Sequence, residues 1–122
     1  TRRSTECFAV EHPVLQAILL HLDRNHHRAL LDLNEVALAA GVSPRTVQLL
    51  LKAHLNSTMT DEVQRRRLVH AQRLLSVGDL PVADIAALTG FASATYFHQA
   101  FKRHTGMTPR TYRQRCRDTD GN

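Results

Sequence analysis

Two sets of side chains recur along this chain at a spacing that places each set on one helical face. Arg45, Gln48, Leu49 and Lys52 form the first; Thr95, His98, Gln99 and Lys102 form the second. Positions three, four and seven apart stack on the same side of an α-helix. Arginine pairs well with guanine, glutamine with adenine and threonine with either, so such faces suit base edges in a DNA major groove. On an isolated helix the same residues would be ordinary solvated surface. Other chemistries find less support. The chain has no Gly-rich phosphate loop, no nucleophile motif and no carboxylate pair in a suggestive context, so no enzyme is expected. Eight histidines invite a metal reading. His12, His21, His26 and His27 cluster around one segment, but no Cys or carboxylate completes a tetrahedral set at zinc-ligand spacing. No metal and no cofactor are expected.

The elements that must carry these faces read as helix throughout, which predicts an all-α fold of about seven helices. Val14, Leu15, Ile18 and Leu22 mark a first helix, with Pro13 suited to its first turn. Asp32 and Glu35 read as a capping box opening a short helix over Leu33 to Ala39. Gly41 breaks it, and Ser43-Pro44 starts a third helix that runs to about His54. A fourth, from about Thr60, carries Val63, Leu68, Ala71, Leu74 and Leu75 on one face and stops at Gly78. A fifth spans Val82 to Leu88, and a sixth, capped by Ser93, runs from Ala94 to His104. A short seventh runs from Pro109 to about Arg115.

The chain repeats itself. Val36-Ala37 with Gly41-Val42 returns as Ile85-Ala86 with Gly90-Phe91, an offset of 49. From Ser43 onward the offset is 50: Ser43 with Ser93, Val47 with Phe97, Leu51-Lys52 with Phe101-Lys102, His54 with His104 and Thr58 with Thr108. The second copy therefore has one extra residue, Ala92, in its turn. A short helix, a tight Gly-containing turn and a capped second helix make the outline of a helix-turn-helix. In the first copy Val47, Leu50, Leu51 and His54 would face the core; in the second, Phe97, Ala100 and Phe101. Ala37 and Ala86 are small enough for the second helix to cross closely. His54 and His104 at equivalent helix ends point to packing or capping.

Charge is uneven. The 122 residues carry 16 Lys plus Arg against 11 Asp plus Glu, a net charge of +5. Residues 1–40 hold four basic and five acidic side chains, whereas 41–117 hold twelve and four. The excess gathers at Arg65-Arg66-Arg67 with Arg73, at Lys102-Arg103, and from Arg110 to Arg117. Such a balance favours polyanionic partners. No apolar run approaches the roughly 20 residues of a membrane span, and the opening residues lack the apolar stretch of a signal peptide. No membrane partner is expected. Cys7 and Cys116 are expected to be free thiols in a cytoplasmic protein.

These motifs resemble the DNA-binding domain of the AraC/XylS family of bacterial transcription regulators over about residues 12–115. The most specific part is Ile85-Ala86, Gly90-Phe91, Tyr96-Phe97, Ala100-Phe101-Lys102-Arg103, Thr105-Gly106-Met107-Thr108-Pro109 and Tyr112-Arg113. The resemblance implies two helix-turn-helix subdomains, 12–58 and 79–115, joined by a linker helix over 59–78, with tails at 1–11 and 116–122. It also implies two recognition helices entering major grooves of double-stranded DNA, with Arg45, Gln48 and Leu49 reading bases in the first. Ala94, Thr95, His98 and Gln99 read in the second. Ser43, Ser93, Lys52, Lys102 and Arg103 are placed at phosphates, and Thr46 is counted with the DNA-binding set. An 18-residue linker helix would be about 27 Å long, close to the roughly 34 Å between successive major-groove faces. Two departures stand out. Leu49 occupies a position that is commonly polar or basic in the family, and Asn56 replaces a usual Gly.

Most members of that family join this domain to a ligand-sensing domain, and activators among them also contact RNA polymerase. The near-neutral start and the absence of an initiating Met fit a piece of a larger, nucleoid-associated regulator. An alternative is a protein-interaction module that meets RNA polymerase, with DNA affinity secondary.

Overall fold

The computed structural model describes residues 12–120. Cys7 and the expected 1–11 tail lie outside the described residues; Cys116 has a free thiol. Among the described residues there are seven α-helices and no strand, so the fold is all-α. They are α1 (Pro13–Asn25), α2 (Leu33–Ala40), α3 (Pro44–Leu55), α4 (Met59–Val77), α5 (Val82–Leu88), α6 (Ala94–Thr105) and α7 (Pro109–Asp120). They form two compact units: the described residues up to His26 with Leu30–Gln64, and His27–Ala29 with the chain from Arg65 onward.

In the first unit each helix start has a local cause. Pro13 presets the first turn of α1, and His12 Nδ1 accepts the Leu15 N–H at 3.2 Å. Asp32 accepts the Glu35 N–H at 2.8 Å to cap α2. The Glu35 carboxylate also meets His21 Nε2 on α1 at 2.8 Å. The core comprises Leu15, Ile18, Leu19, Leu22, Val36, Ala37, Val47, Leu51 and Val63, all buried. Burying each large aliphatic side chain contributes about 1.5–3 kcal/mol. His54 is half-buried with its ring edge-on to His12, centroids 5.1 Å apart, as packing would have it. Its counterpart His104 is exposed.

The second unit is built on aromatic rings. Phe97 packs against Phe91 at 5.0 Å and Phe101 at 5.6 Å, and Phe101 meets Tyr112 at 5.4 Å. Leu68, Ala71, Leu75, Ile85, Ala86 and Ala100 complete the core. Thr89 is fully buried, its hydroxyl donating to the Ile85 carbonyl at 2.8 Å, which removes the cost of burying it.

The apolar stripe of α4, the expected linker helix, is shared: Val63 belongs to the first core, and Leu68, Ala71 and Leu75 to the second. One feature differs from the sequence reading: the seventh helix is not short. It continues past Arg115 to Asp120, through most of the stretch expected to be a tail. Nothing from Arg110 to Asp120 is a Gly or Pro. Gln114 also bonds Asp118 at 3.1 Å, one turn on, and helps sustain it.

Candidate nucleic-acid interface

The repeat written in the sequence is repeated in backbone hydrogen bonds. Gly41 N–H donates to Leu38 at 3.2 Å and Val42 N–H to Ala37 at 3.0 Å. Gly90 donates to Ala87 at 3.2 Å and Phe91 to Ala86 at 3.0 Å. After each turn the capping serine hydroxyl accepts the N–H three residues on: Thr46 to Ser43 and Tyr96 to Ser93, both at 3.1 Å. The extra Ala92 lies between these two frames and disturbs neither. Gly41 and Gly90 have φ of 75° and 99°, a left-handed backbone that side chains resist. The next stop repeats too, with Gly106 at φ 85° and Asn56 at φ 51°. Asn56 thus holds the left-handed turn in place of Gly, as its short polar side chain permits. Thr58 and Thr108 then cap α4 and α7, accepting from Asp61 at 3.0 Å and Thr111 at 3.2 Å.

This frame turns α3 and α6 so that one face is spent on packing. Val47 and Leu51 are fully buried, with Leu50 and His54 half-buried beside them. Phe97, Ala100 and Phe101 do the same on α6. Ala37 and Ala86, each 2% exposed, leave room for the crossing helix. The opposite faces are open to solvent: Arg45, Gln48, Leu49 and Lys52 on α3, and Thr95, His98, Gln99, Lys102 and Arg103 on α6. Leu49 is 54% exposed, a large apolar side chain among polar neighbours. Thr46 and Ala94 are half-buried in the first turns. Ser43 and Ser93 are exposed, but their oxygens already serve as caps, and Ser43 Oγ also lies 3.0 Å from Thr46 Oγ1. The ring of His98 bends back over its own helix, Nδ1 2.8 Å from the Ala94 carbonyl.

Arginines of two of the three basic gatherings are engaged within the chain. Arg67 Nη2 donates to the Arg28 carbonyl at 2.8 Å. Its partial burial lowers the guanidinium pKa from the usual value, with nearby Tyr96 acting in the opposite sense. Arg113 binds the carbonyls of Leu75 and Leu80, and Arg117 binds the Gly78 carbonyl and the Asp79 carboxylate. These three arginines hold the chain's own backbone. The sequence did carry a signal for two of them: the Gly78-Asp79-Leu80 connection leaves helix-end carbonyls in need of donors. Among the described residues, no group of three His, Cys, Asp or Glu side chains is arranged to hold a metal ion. No described helix is long and apolar enough to cross a membrane.

Two helix-turn-helix modules, each with its second helix presenting a polar face away from its own core, define a tandem helix-turn-helix protein. The model of a helix-turn-helix domain family matches residues 36–115. The HTH-type transcriptional regulator GlxA of Rhizobium meliloti is 38% identical over 112 residues, covering 92% of this chain and 34% of its own length. The transcriptional activator NphR of a Rhodococcus species is 36% identical over 93 residues, covering 76% of this chain and 28% of its own length. Among solved structures, an AraC-type DNA-binding-domain protein from Chromobacterium violaceum matches with a TM-score of 0.82 at 26% identity, covering 88% of this chain and 96% of that one. The DNA-binding domain of AdpA, a global transcriptional factor solved in complex with a target DNA, matches with a TM-score of 0.79 at 27% identity, covering 86% and 94%. The chain belongs to the AraC-type family of helix-turn-helix domains. It spans about a third of the length of the curated relatives it matches.

Proposed function

We propose that this chain is the DNA-binding part of a bacterial transcription regulator, reading double-stranded DNA through α3 and α6. The observation that carries this reading is the repeated hydrogen-bond frame, which twice turns a helix so that its packed face is buried and its polar face is open. The likeness to the AdpA domain solved on its target DNA supports it. In this reading Arg45, Gln48 and Leu49 contact bases from the first module, and Ala94, Thr95, His98 and Gln99 from the second. Lys52, Lys102 and Arg103, with Ser43, Ser93 and Thr46, meet phosphates and sugars, which set position and affinity without specifying sequence. Residues 12–58 and 79–115 act as the two reading subdomains and α4 as their linker. The two segments read lie about one helical turn apart.

The same reading places the chain in a longer cytoplasmic protein with a separate ligand-sensing domain, which the length of its relatives supports. NphR is described as an activator, which supports contact with RNA polymerase during activation. A module used chiefly for protein interaction is the weaker reading, because the open faces carry base-reading residue types at the recognition-helix position. The test is selection from randomised duplexes, followed by affinity at two salt concentrations. Two short motifs about one helical turn apart are expected. Enrichment of nothing, with steep salt dependence, would refute sequence reading by this chain.

A further inference from the structure

His98 holds a geometric fact that its residue type alone does not carry. Its Nδ1 lies 2.8 Å from the carbonyl oxygen of Ala94. A carbonyl oxygen can only accept, so Nδ1 carries the ring proton and donates it. In the neutral imidazole the other nitrogen, Nε2, is then a lone-pair acceptor with no proton to give. The side chain is exposed, and among the described residues Nε2 has no hydrogen-bond partner. Ala94 is the first residue of α6, so the bond holds the imidazole over the opening turn of that helix. The N-terminal part of a recognition helix is the part that meets base edges.

We propose that His98 is a specificity-determining residue whose Nε2 accepts a hydrogen bond from an exocyclic amino group, adenine N6 or cytosine N4, of the base it faces. The inference rests on the DNA-binding reading above and adds the hydrogen-bond polarity of one reader. Guanine and thymine turn only acceptors toward the major groove: N7 and O6, or O4. Two acceptors brought together leave both without a proton, at the cost of their lost hydration. The base facing His98 is therefore adenine or cytosine, and guanine and thymine are rejected. The equivalent residue of the first copy behaves differently. Gln48 offers a donor and an acceptor together, so it can pair with adenine N6 and N7 and separate adenine from cytosine.

The test is duplex selection with the 122-residue chain and with His98→Ala, which removes an exposed side chain and is expected to keep the helical circular dichroism spectrum. One position should be restricted to adenine or cytosine in the wild type and become open in the variant. On the selected site, replacing that adenine by purine, which lacks the N6 amino group, should weaken the wild type by roughly threefold to tenfold, the size of one hydrogen bond. The same replacement should leave His98→Ala unchanged. His98→Arg should move the preference at that position to guanine. A wild-type preference for guanine or thymine there overturns the proposal, because it requires a proton on Nε2. A selected site unaffected by His98→Ala at every position overturns it equally. Failure to select any sequence overturns the DNA-reading function as well, so the two failures are told apart.

Discussion

Arg113 donates from Nη2 to the carbonyl oxygen of Leu80 at 2.7 Å, reaching from α7 to the connection that leads into α5. Its Nε points at the Leu75 carbonyl in the last turn of α4, at 3.4 Å. A cation at a helix C-terminus meets the negative end of the helix dipole as well as orphan carbonyls. Arg113 is thus committed to the second unit's own framework. Replacing it with alanine should lower stability by about 1–2 kcal/mol, discounted for partial exposure. The slope of log affinity against log salt should stay as it was. Denaturant melts and DNA titrations on one preparation check both.

Lys102 is the converse case, exposed on the open face of α6. Lys102→Ala should leave the melt unchanged, weaken binding nearly uniformly across sequences, and make the salt slope shallower by about one unit. An unchanged slope would remove Lys102 from the phosphate contacts.

Gln48→Ala should cost about 1–3 kcal/mol on the preferred duplex and relax preference at one or two base pairs. Competition binding against single-base variants reads this directly. Equal loss on every duplex would show that Gln48 does not read bases.

Asn56, at φ 51° and ψ 45°, ends α3 in the left-handed region. Asn56→Ala should destabilise the first unit by roughly 1 kcal/mol, because a β-carbon without a local hydrogen-bonding group is poorly tolerated there. Asn56→Gly should stay within about 0.5 kcal/mol of the parent, since glycine's ease in that region offsets its larger unfolded-state entropy. Urea midpoints of the two variants are the measurement.

Burial raises the pKa of the Tyr112 phenol; the adjacent Cys116 adds to the shift, and a hydrogen bond with Gln72 opposes it. The folded chain therefore keeps this proton to higher pH than the unfolded chain, whose tyrosine titrates near 10. The stability tied to the neutral phenol is intact below that value and is lost as pH rises through the folded pKa. Stability should fall more steeply above about pH 10 in the parent than in Tyr112→Phe, a difference that denaturant melts at stepped alkaline pH would detect.

Much of this was legible in the sequence because its causes are local. Ser43-Pro44, Ser93 and the glycines each fix a helix end within a few residues, and the spacing of Val47 and Leu51, or Phe97 and Phe101, fixes which face is buried. The exposure of Arg45, Gln48, Thr95 and Gln99 follows from that same spacing. What the pattern could not hold were bonds between residues distant in sequence. Arg113 with Leu80, Arg117 with Asp79 and Arg67 with Arg28 join positions 33 to 39 residues apart. Periodicity within a helix does not pair such residues; the bare carbonyls around Gly78 signal a need for donors without saying which arginines supply them. Glu35 belongs with these distant pairs: besides its place three residues after the capping Asp32, its carboxylate meets His21, fourteen positions away. The full length of α7 was missed for the opposite reason. Its polar C-terminal half has no apolar stripe to announce it, only the absence of a residue that would stop it.

The course of α4 through both cores has a consequence for how the chain melts. Val63 anchors one end of that helix and Leu68, Ala71 and Leu75 the other, along one unbroken run of 19 residues. The stretch of α4 in the first unit, 59–64, is six residues long and that in the second, 65–77, is thirteen. Cut loose from its own core, either stretch would be a helix of marginal length in water. Loss of one core should therefore fray that core's stretch of α4 rather than leave the whole helix standing.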